Sequence, residues 1–221
     1  APMAIPNSGE MFNNYKNQVE KGGKGIRLRD ENAMHLRRAY FAAVSYIDAQ
    51  VGKLMQTLKE TGLDKNTIVV VWGDHGWHLG DHTVWGKHSL FERSLRSAMM
   101  IKTPELKAKG VPTDAIVETV DLYPTLLDLA GLDALNPLSG NSLTPILNDP
   151  QAEWDQPALG FWRAGYTIRT KQHRLTKYKK GDEIFTELYD HQSDPLEMKN
   201  LATAEKRKMK DLKKKFWKKQ T

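Results

Sequence analysis

Thr67-Ile68-Val69-Val70-Val71-Trp72-Gly73-Asp74-His75-Gly76-Trp77-His78-Leu79-Gly80-Asp81-His82-Thr83-Val84-Trp85-Gly86-Lys87-His88 is the stretch from which the rest of the chain can be read. Its opening, Ile68 to Trp72, is apolar and β-branched, the composition of a buried strand. Gly73 ends that run, and a carboxylate and an imidazole follow at once, Asp74 and His75, with Gly76 behind them. In open α/β sheets the ligand crevice lies beyond the carboxyl ends of the strands. An Asp-His pair at that point is well placed to hold a metal or a substrate. His75, His78, His82, His88, Asp74, Asp81 and Lys87 crowd into the same loop. Ordinary loop surface has no need of so many titratable groups.

Upstream, Leu36, Tyr40, Val44, Ile47, Val51, Leu54, Met55 and Leu58 advance by three or four residues. That spacing predicts a helix from about Arg29 to Thr61 with one apolar stripe, stopped at Gly62. Helix, tight turn at Asp64-Lys65-Asn66, then strand: this is half of a parallel α/β unit. Before it, residues 1–25 are rich in Gly, Asn and Pro and read as loop. Downstream, Ser97 to Lys102 reads as a second core strand, and Asp121 to Ala130 as a helix with Asp121 at its N-cap and Gly131 at its end. The turn-rich stretch from Leu132 to Pro157 predicts a boundary, giving residues 1–157 and 158–221 as the two parts. Past it, Tyr166–Thr170 and Arg174–Tyr178 predict a hairpin turning at Lys171-Gln172-His173, and Glu187–Tyr189 adds a third strand. A Lys-rich amphipathic helix, with Met209, Leu212 and Phe216 on one face, closes the chain.

The 221 residues carry 33 Lys/Arg, 27 Asp/Glu and no Cys. Disulfides and a cysteine nucleophile are excluded from this chain. The net charge of +6 is concentrated at the end: residues 201–221 hold nine Lys/Arg against Glu205 and Asp211, leaving 24 basic and 25 acidic groups elsewhere. A neutral body does not point to nucleic acid, and like charges in a terminal run usually face water. No run reaches the length of a membrane span, and Ala1-Pro2-Met3-Ala4-Ile5-Pro6 lacks signal-peptide character.

Taken alone, Asp74 suits a hard divalent cation such as calcium or magnesium, while His75 beside it equally admits zinc. Asp74 capping a turn with His75 as its neighbour is the plainer alternative. His78 and His82 stand four apart, but Gly80 between them favours a loop over a zinc-binding helix. His82 is expected to brace that loop.

The run Gly73-Asp74-His75-Gly76-Trp77-x-Leu79-Gly80-Asp81-His82, followed by Trp85-Gly86-Lys87, resembles the second metal-binding motif of the sulfatases, in the iduronate-2-sulfatase-like subgroup. Further matches lie at Tyr40–Asp48, Val120–Leu126, Gly165–Thr170 and Glu187–Asp190 with Asp194-Pro195. The resemblance implies an α/β fold of the alkaline phosphatase superfamily. A mostly parallel sheet flanked by helices would be followed by a small antiparallel sheet and a C-terminal helix. It implies Asp74 and His75 as calcium ligands and Lys87 as the catalytic residue on the sulfate group; from their place in the same loop, Trp77 and His78 are expected to touch substrate. It further implies a sulfated carbohydrate or other sulfate ester as substrate, and a secreted or periplasmic location. The family's nucleophile, a formylglycine from a Cys/Ser-x-Pro/Ala-x-Arg motif, has no counterpart here. Ser89-Leu90-Phe91-Glu92-Arg93 lacks the Pro and stands in the wrong part of the family order. The chain is therefore expected to be the C-terminal portion of a sulfatase, inactive alone, with an N-terminal half as its partner. A phosphoesterase of the same superfamily and a non-catalytic polyanion-binding domain are the alternatives.

Overall fold

The structure, a computed structural model, describes residues 19–22 and 25–220. Two compact units make up the chain, Pro2–Glu105 and Leu106–Thr221. The loop expected over residues 1–25 lies largely outside the described residues. Where they are described, β1 (Val19–Gly22) and β2 (Gly25–Leu28) pair antiparallel as a hairpin.

In the first unit the three-four periodicity gives α1 (Asp30–Glu60), with Asp30 and Glu31 favourably placed at the positive end of its dipole. Gly62, left-handed at φ 73°, turns the chain after it. A short 3-10 turn, Leu63–Asn66, leads into β3 (Val69–Trp72), which pairs antiparallel with β6 (Met99–Lys102) in the register Val69↔Lys102 to Trp72↔Met99. Between them lie the two-residue strands β4 (His78–Leu79) and β5 (Trp85–Gly86), a 3-10 turn at Asp81–Thr83, and α2 (Glu92–Leu95). The strand expected to be buried is only half-buried, and Trp72 is 50% exposed. Half of the helix stripe is open as well: Tyr40, Val44, Ile47 and Leu54 are exposed, while Leu36, Val51, Met55 and Leu58 are half-buried. The physical reason is the short sheet. Among the described residues β3 has β6 as its only ladder partner, and that pairing is antiparallel.

Where α1 does bury a side chain, it serves the loop after β3. Ala33 and Leu36 pack with Leu28, Leu79 and Trp85. Arg37 donates from Nε to the Leu79 carbonyl at 2.9 Å and lies over the Trp85 ring. Trp85 is a core residue at 6% exposure.

The second unit begins with irregular chain and a 3-10 turn, Thr119–Asp121, running into α3 (Leu122–Ala130), which Gly131 closes at φ 66°. Asp121 sits at the expected N-cap position but does not cap α3. Its conformation is helical, and its carboxylate accepts from the backbone N–H groups of Glu118 and Asn141, both at 2.8 Å. The turn-rich stretch holds a short helix, α4 (Thr144–Asn148). Four strands follow as an antiparallel meander: β7 (Ala158–Trp162), β8 (Gly165–Arg169), β9 (His173–Lys180) and β10 (Glu183–Asp190). β7 escaped the sequence reading because it carries no β-branched residue and Gly160 interrupts its apolar run. On one face, Ile168, Leu175 and Leu188 are fully buried and pack with Leu212 and Phe216 of α5 (Lys206–Gln220), Tyr166 stacking on Phe216 at 4.3 Å. The fold class is thus α/β, with a small antiparallel sheet and a C-terminal helix.

The other face of the sheet is polar and buried. Arg174 donates from Nε to Glu197 at 2.6 Å, and His191 meets the same carboxylate oxygen at 2.9 Å. Thr176 donates to Thr167 at 2.9 Å beside them. Burial pushes the Glu187 carboxyl up to about 7, with the Glu197 charge adding to the rise and a hydrogen bond to Tyr189 opposing it. A carboxyl raised in this way keeps its proton in the folded state after the unfolded chain has lost it, above about pH 4.5. Stability should fall as pH rises from about 4.5 to about 7 and level off above, a loss of roughly 3 kcal/mol. Glu187→Gln should flatten that slope in urea denaturation series across the window.

One glycine fixes the turn between β3 and β4. A Cβ on Gly76 would stand 2.2 Å from the Arg93 carbonyl oxygen and 2.5 Å from that of Arg96, both backbone atoms, while its N–H donates to Ser94 at 2.8 Å. Gly76→Ala is expected to destabilise the first unit by about 2 kcal/mol or more, read from its denaturation midpoint.

Candidate active site

Strand β3 ends where the chemistry begins. The Gly73 N–H still donates to the Ala98 carbonyl at 2.9 Å, so the ladder holds the chain up to the residue before Asp74. The Asp74 side chain then projects into water at 81% exposure, and that of His75 is 29% exposed. Nδ1 of His75 lies 2.9 Å from the Gly76 carbonyl oxygen. A carbonyl can only accept, so the neutral ring carries its proton on Nδ1 and presents a lone pair at Nε2. Two groups meet that lone pair. The Lys87 ammonium donates to it at 2.9 Å, and Oδ2 of Asp74 lies 3.3 Å away. An imidazole lone pair and a carboxylate this close repel each other unless a cation sits with them, and the Lys87 ammonium is that cation here.

Three residues singled out in the sequence therefore converge although Lys87 follows His75 by twelve positions. The fold brings this about through the β4–β5 hairpin. Gly80 at φ 105°, His82 at φ 53° and Thr83 at φ 63° are all left-handed, which folds the chain tightly between the short strands. The His82 ring stacks on Phe91 at 4.1 Å with the planes within 5°, the bracing role expected of it. Asp81 accepts from the Leu79 N–H at 3.2 Å and faces Arg93 Nε at 3.3 Å, a structural use of the carboxylate.

Trp77 is half-buried, its ring 6.0 Å from that of His75, and remains accessible beside the cluster. His78 is placed differently from the expectation. It is fully buried, with Nε2 2.9 Å from Ser89 Oγ and its ring edge-on to His82 and Phe91, so it faces the interior and offers no surface to a substrate. Alternation along β4 puts His78 on the face opposite Leu79, and there it meets Ser89, His82 and Phe91.

Ser89, noticed in the sequence only as a poor nucleophile motif, and Ser94, which the sequence reading passed over, lie together behind the cluster. The Ser89 hydroxyl lies 2.6 Å from that of Ser94 and 2.9 Å from His78 Nε2, and accepts from the Phe91 N–H at 3.3 Å. Both serines are 2% exposed. A hydroxyl has one donor and two acceptor positions, so Ser89 is saturated. Its burial rules it out as a nucleophile in this arrangement. The signal available beforehand was two small hydroxyl residues beside Phe91 in an otherwise apolar and charged segment.

Asp74, His75 and Lys87 form an open half-shell of donors fitted to a cation and an anion side by side. An exposed hard carboxylate oxygen and a fixed imidazole lone pair are compatible with a divalent cation. The ammonium is compatible with the oxygens of a sulfate or phosphate ester.

Comparisons with known proteins bear on that choice. Residues 5–132 match the family model described as Sulfatase, and residues 80–221 the one described as N-sulphoglucosamine sulphohydrolase, C-terminal. The choline-sulfatase of Rhizobium meliloti (strain 1021) is 36% identical over 188 residues, 79% of this chain and 35% of that protein. The N-acetylglucosamine-6-O-sulfatase of Bacteroides thetaiotaomicron is 33% identical over 190 residues, 80% of this chain and 34% of its own. A structure solved in complex with its substrate D-glucosamine-2-N,6-O-disulfate superposes with a TM-score of 0.75 at 30% identity, over 82% of this chain and 39% of that one. The chain spans about a third of the length of these curated relatives. Its α/β fold is the alkaline phosphatase-like fold of these enzymes. With both family models matched across more than half of its length, the chain belongs to the sulfatase family.

Proposed function

We propose that this chain supplies the cation-binding and sulfate-binding part of an enzyme that hydrolyses a sulfate ester on a sulfated carbohydrate. The observation that carries the reading is the convergence of Lys87 Nζ and Asp74 Oδ2 on His75 Nε2, at 2.9 and 3.3 Å. Asp74 and His75 would hold a divalent cation, calcium on the family pattern, which when bound would orient and polarise the sulfate oxygens. Lys87 would neutralise the negative charge that builds on the ester oxygens as the S–O bond breaks. Trp77, accessible beside them, would contact the substrate. The nucleophile, a formylglycine on the family pattern, would come from an N-terminal portion outside this sequence.

The sugar follows from the relatives only as a class. Identity is similar to an enzyme named for choline and to one named for N-acetylglucosamine, while the solved neighbour holds a disulfated glucosamine. In this reading the motif from Gly73 to Lys87 supports membership of the iduronate-2-sulfatase-like subgroup, with residues 1–157 carrying the site and 158–221 forming the C-terminal subdomain. Secretion or periplasmic export belongs to the same reading. No helix among the described residues is long and apolar enough to cross a membrane.

In the complete gene product, Lys87→Ala should lower kcat on an aryl sulfate by about 10²–10³-fold with calcium content unchanged. Asp74→Ala should lose the calcium as well, measured by metal analysis after gel filtration. Full turnover by Lys87→Ala would refute the assignment.

A further inference from the structure

A buried chain of hydrogen bonds joins the two halves of the candidate site from behind. His75 is fixed by the Gly76 carbonyl at 2.9 Å, and the Gly76 N–H by the Ser94 carbonyl at 2.8 Å. The Ser94 hydroxyl meets Ser89 Oγ at 2.6 Å, and the Ser89 N–H returns to the Lys87 carbonyl at 2.9 Å. From His75 round to Lys87 every link is a hydrogen bond or a covalent neighbour, and Lys87 Nζ closes the ring on His75 Nε2. Ser89 is the hub. Its single hydroxyl also takes the Phe91 N–H and His78 Nε2, so the Lys87 loop, the β4 strand and helix α2 are tied at one atom.

Resting on the function proposed above, we propose that Ser89 is a positioning residue: through Ser94 and Gly76 it sets the orientation of the His75 ring relative to the Lys87 ammonium. Its hydroxyl touches neither cation nor substrate. It acts by holding the segment that follows Lys87 against the helix that anchors the His75 turn. Without it, α2 and the Lys87 loop keep their separate contacts but lose their common register. Partners of this kind behind a metal ligand govern affinity and rate by about 10–100-fold when removed.

The test uses the complete gene product with Ser89→Ala, Ser94→Ala and Asp74→Ala beside the wild type. Tm, the calcium dissociation constant by calorimetry, and kcat and KM on an aryl sulfate are measured well below every Tm. Ser89→Ala and Ser94→Ala should weaken calcium binding by about tenfold or more and lower kcat by a comparable factor, leaving KM nearly unchanged. The ¹⁵N shifts of the His75 imidazole should move from a single Nδ1–H form in the wild type to a mixture in Ser89→Ala. A folded Ser89→Ala whose calcium affinity and kcat stay within twofold of the wild type, with only Tm lowered, would make the hub a plain structural brace and overturn the inference. If Ser89→Ala does not fold, Ser89→Cys keeps the volume while weakening the hydrogen bonds, and the same two readouts decide. Asp74→Ala separates the two levels. Unchanged calcium affinity there defeats the proposed function itself, whereas loss there with none in Ser89→Ala defeats the positioning role alone.

Discussion

The site depends on one lone pair, that of His75 Nε2, which accepts from Lys87 here and would pass to the cation in the proposed function, and on the backbone that makes it available. An imidazole on a free loop would exchange tautomers and rotate. Here the Gly76 carbonyl holds the Nδ1 proton, and Gly76 can approach closely enough only because it has no side chain to strike the Arg93 and Arg96 carbonyls. The order of causes runs from a missing Cβ, to a turn seated on α2, to a ring with one defined tautomer. Only then does the pairing with Asp74 and Lys87 acquire chemical meaning. Low exposure at Ser89 and Ser94 keeps water out of the supporting bonds, where competition from solvent would weaken them most.

Much of this was legible in the chain because local rules governed it. The stretch from Arg29 to Thr61 carries an unbroken three-four repeat, and the helix runs Asp30–Glu60. Asp74 and His75 follow a β-branched run, and the strand does end before them. What could not be read was set by distant partners. His78 looked like its neighbours His75 and His82, but its ring is buried against Ser89, His82 and Phe91. Ser89 drew notice only as a poor nucleophile motif, since nothing in the sequence says that Ser94 will come within 2.6 Å of it. Asp121 stands in sequence where a cap belongs, yet the approach of Asn141, twenty residues on, takes its carboxylate.

The two units bury their apolar surface unequally. In the second, both faces of a four-stranded sheet are used, one for an apolar core with α5 and one for the Arg174–Glu197–His191 cluster. In the first, a 31-residue helix buries only Ala33 completely, and Trp72 and Met100 on the two strands are at least half exposed. Exposed apolar surface of that extent on a sheet and helix marks an interaction face. It agrees with a proposed N-terminal portion that would extend the sheet and bring the nucleophile to Asp74, His75 and Lys87.

The most direct measurement is a crystal structure of the complete gene product soaked with calcium and a slowly turned-over sulfate ester. The account predicts a cation bonded to an Asp74 carboxylate oxygen and to His75 Nε2 at about 2.3–2.6 Å, with Lys87 Nζ on a sulfate oxygen. A cation bound elsewhere, or Lys87 directed away from the sulfate with the ester in place, would contradict it.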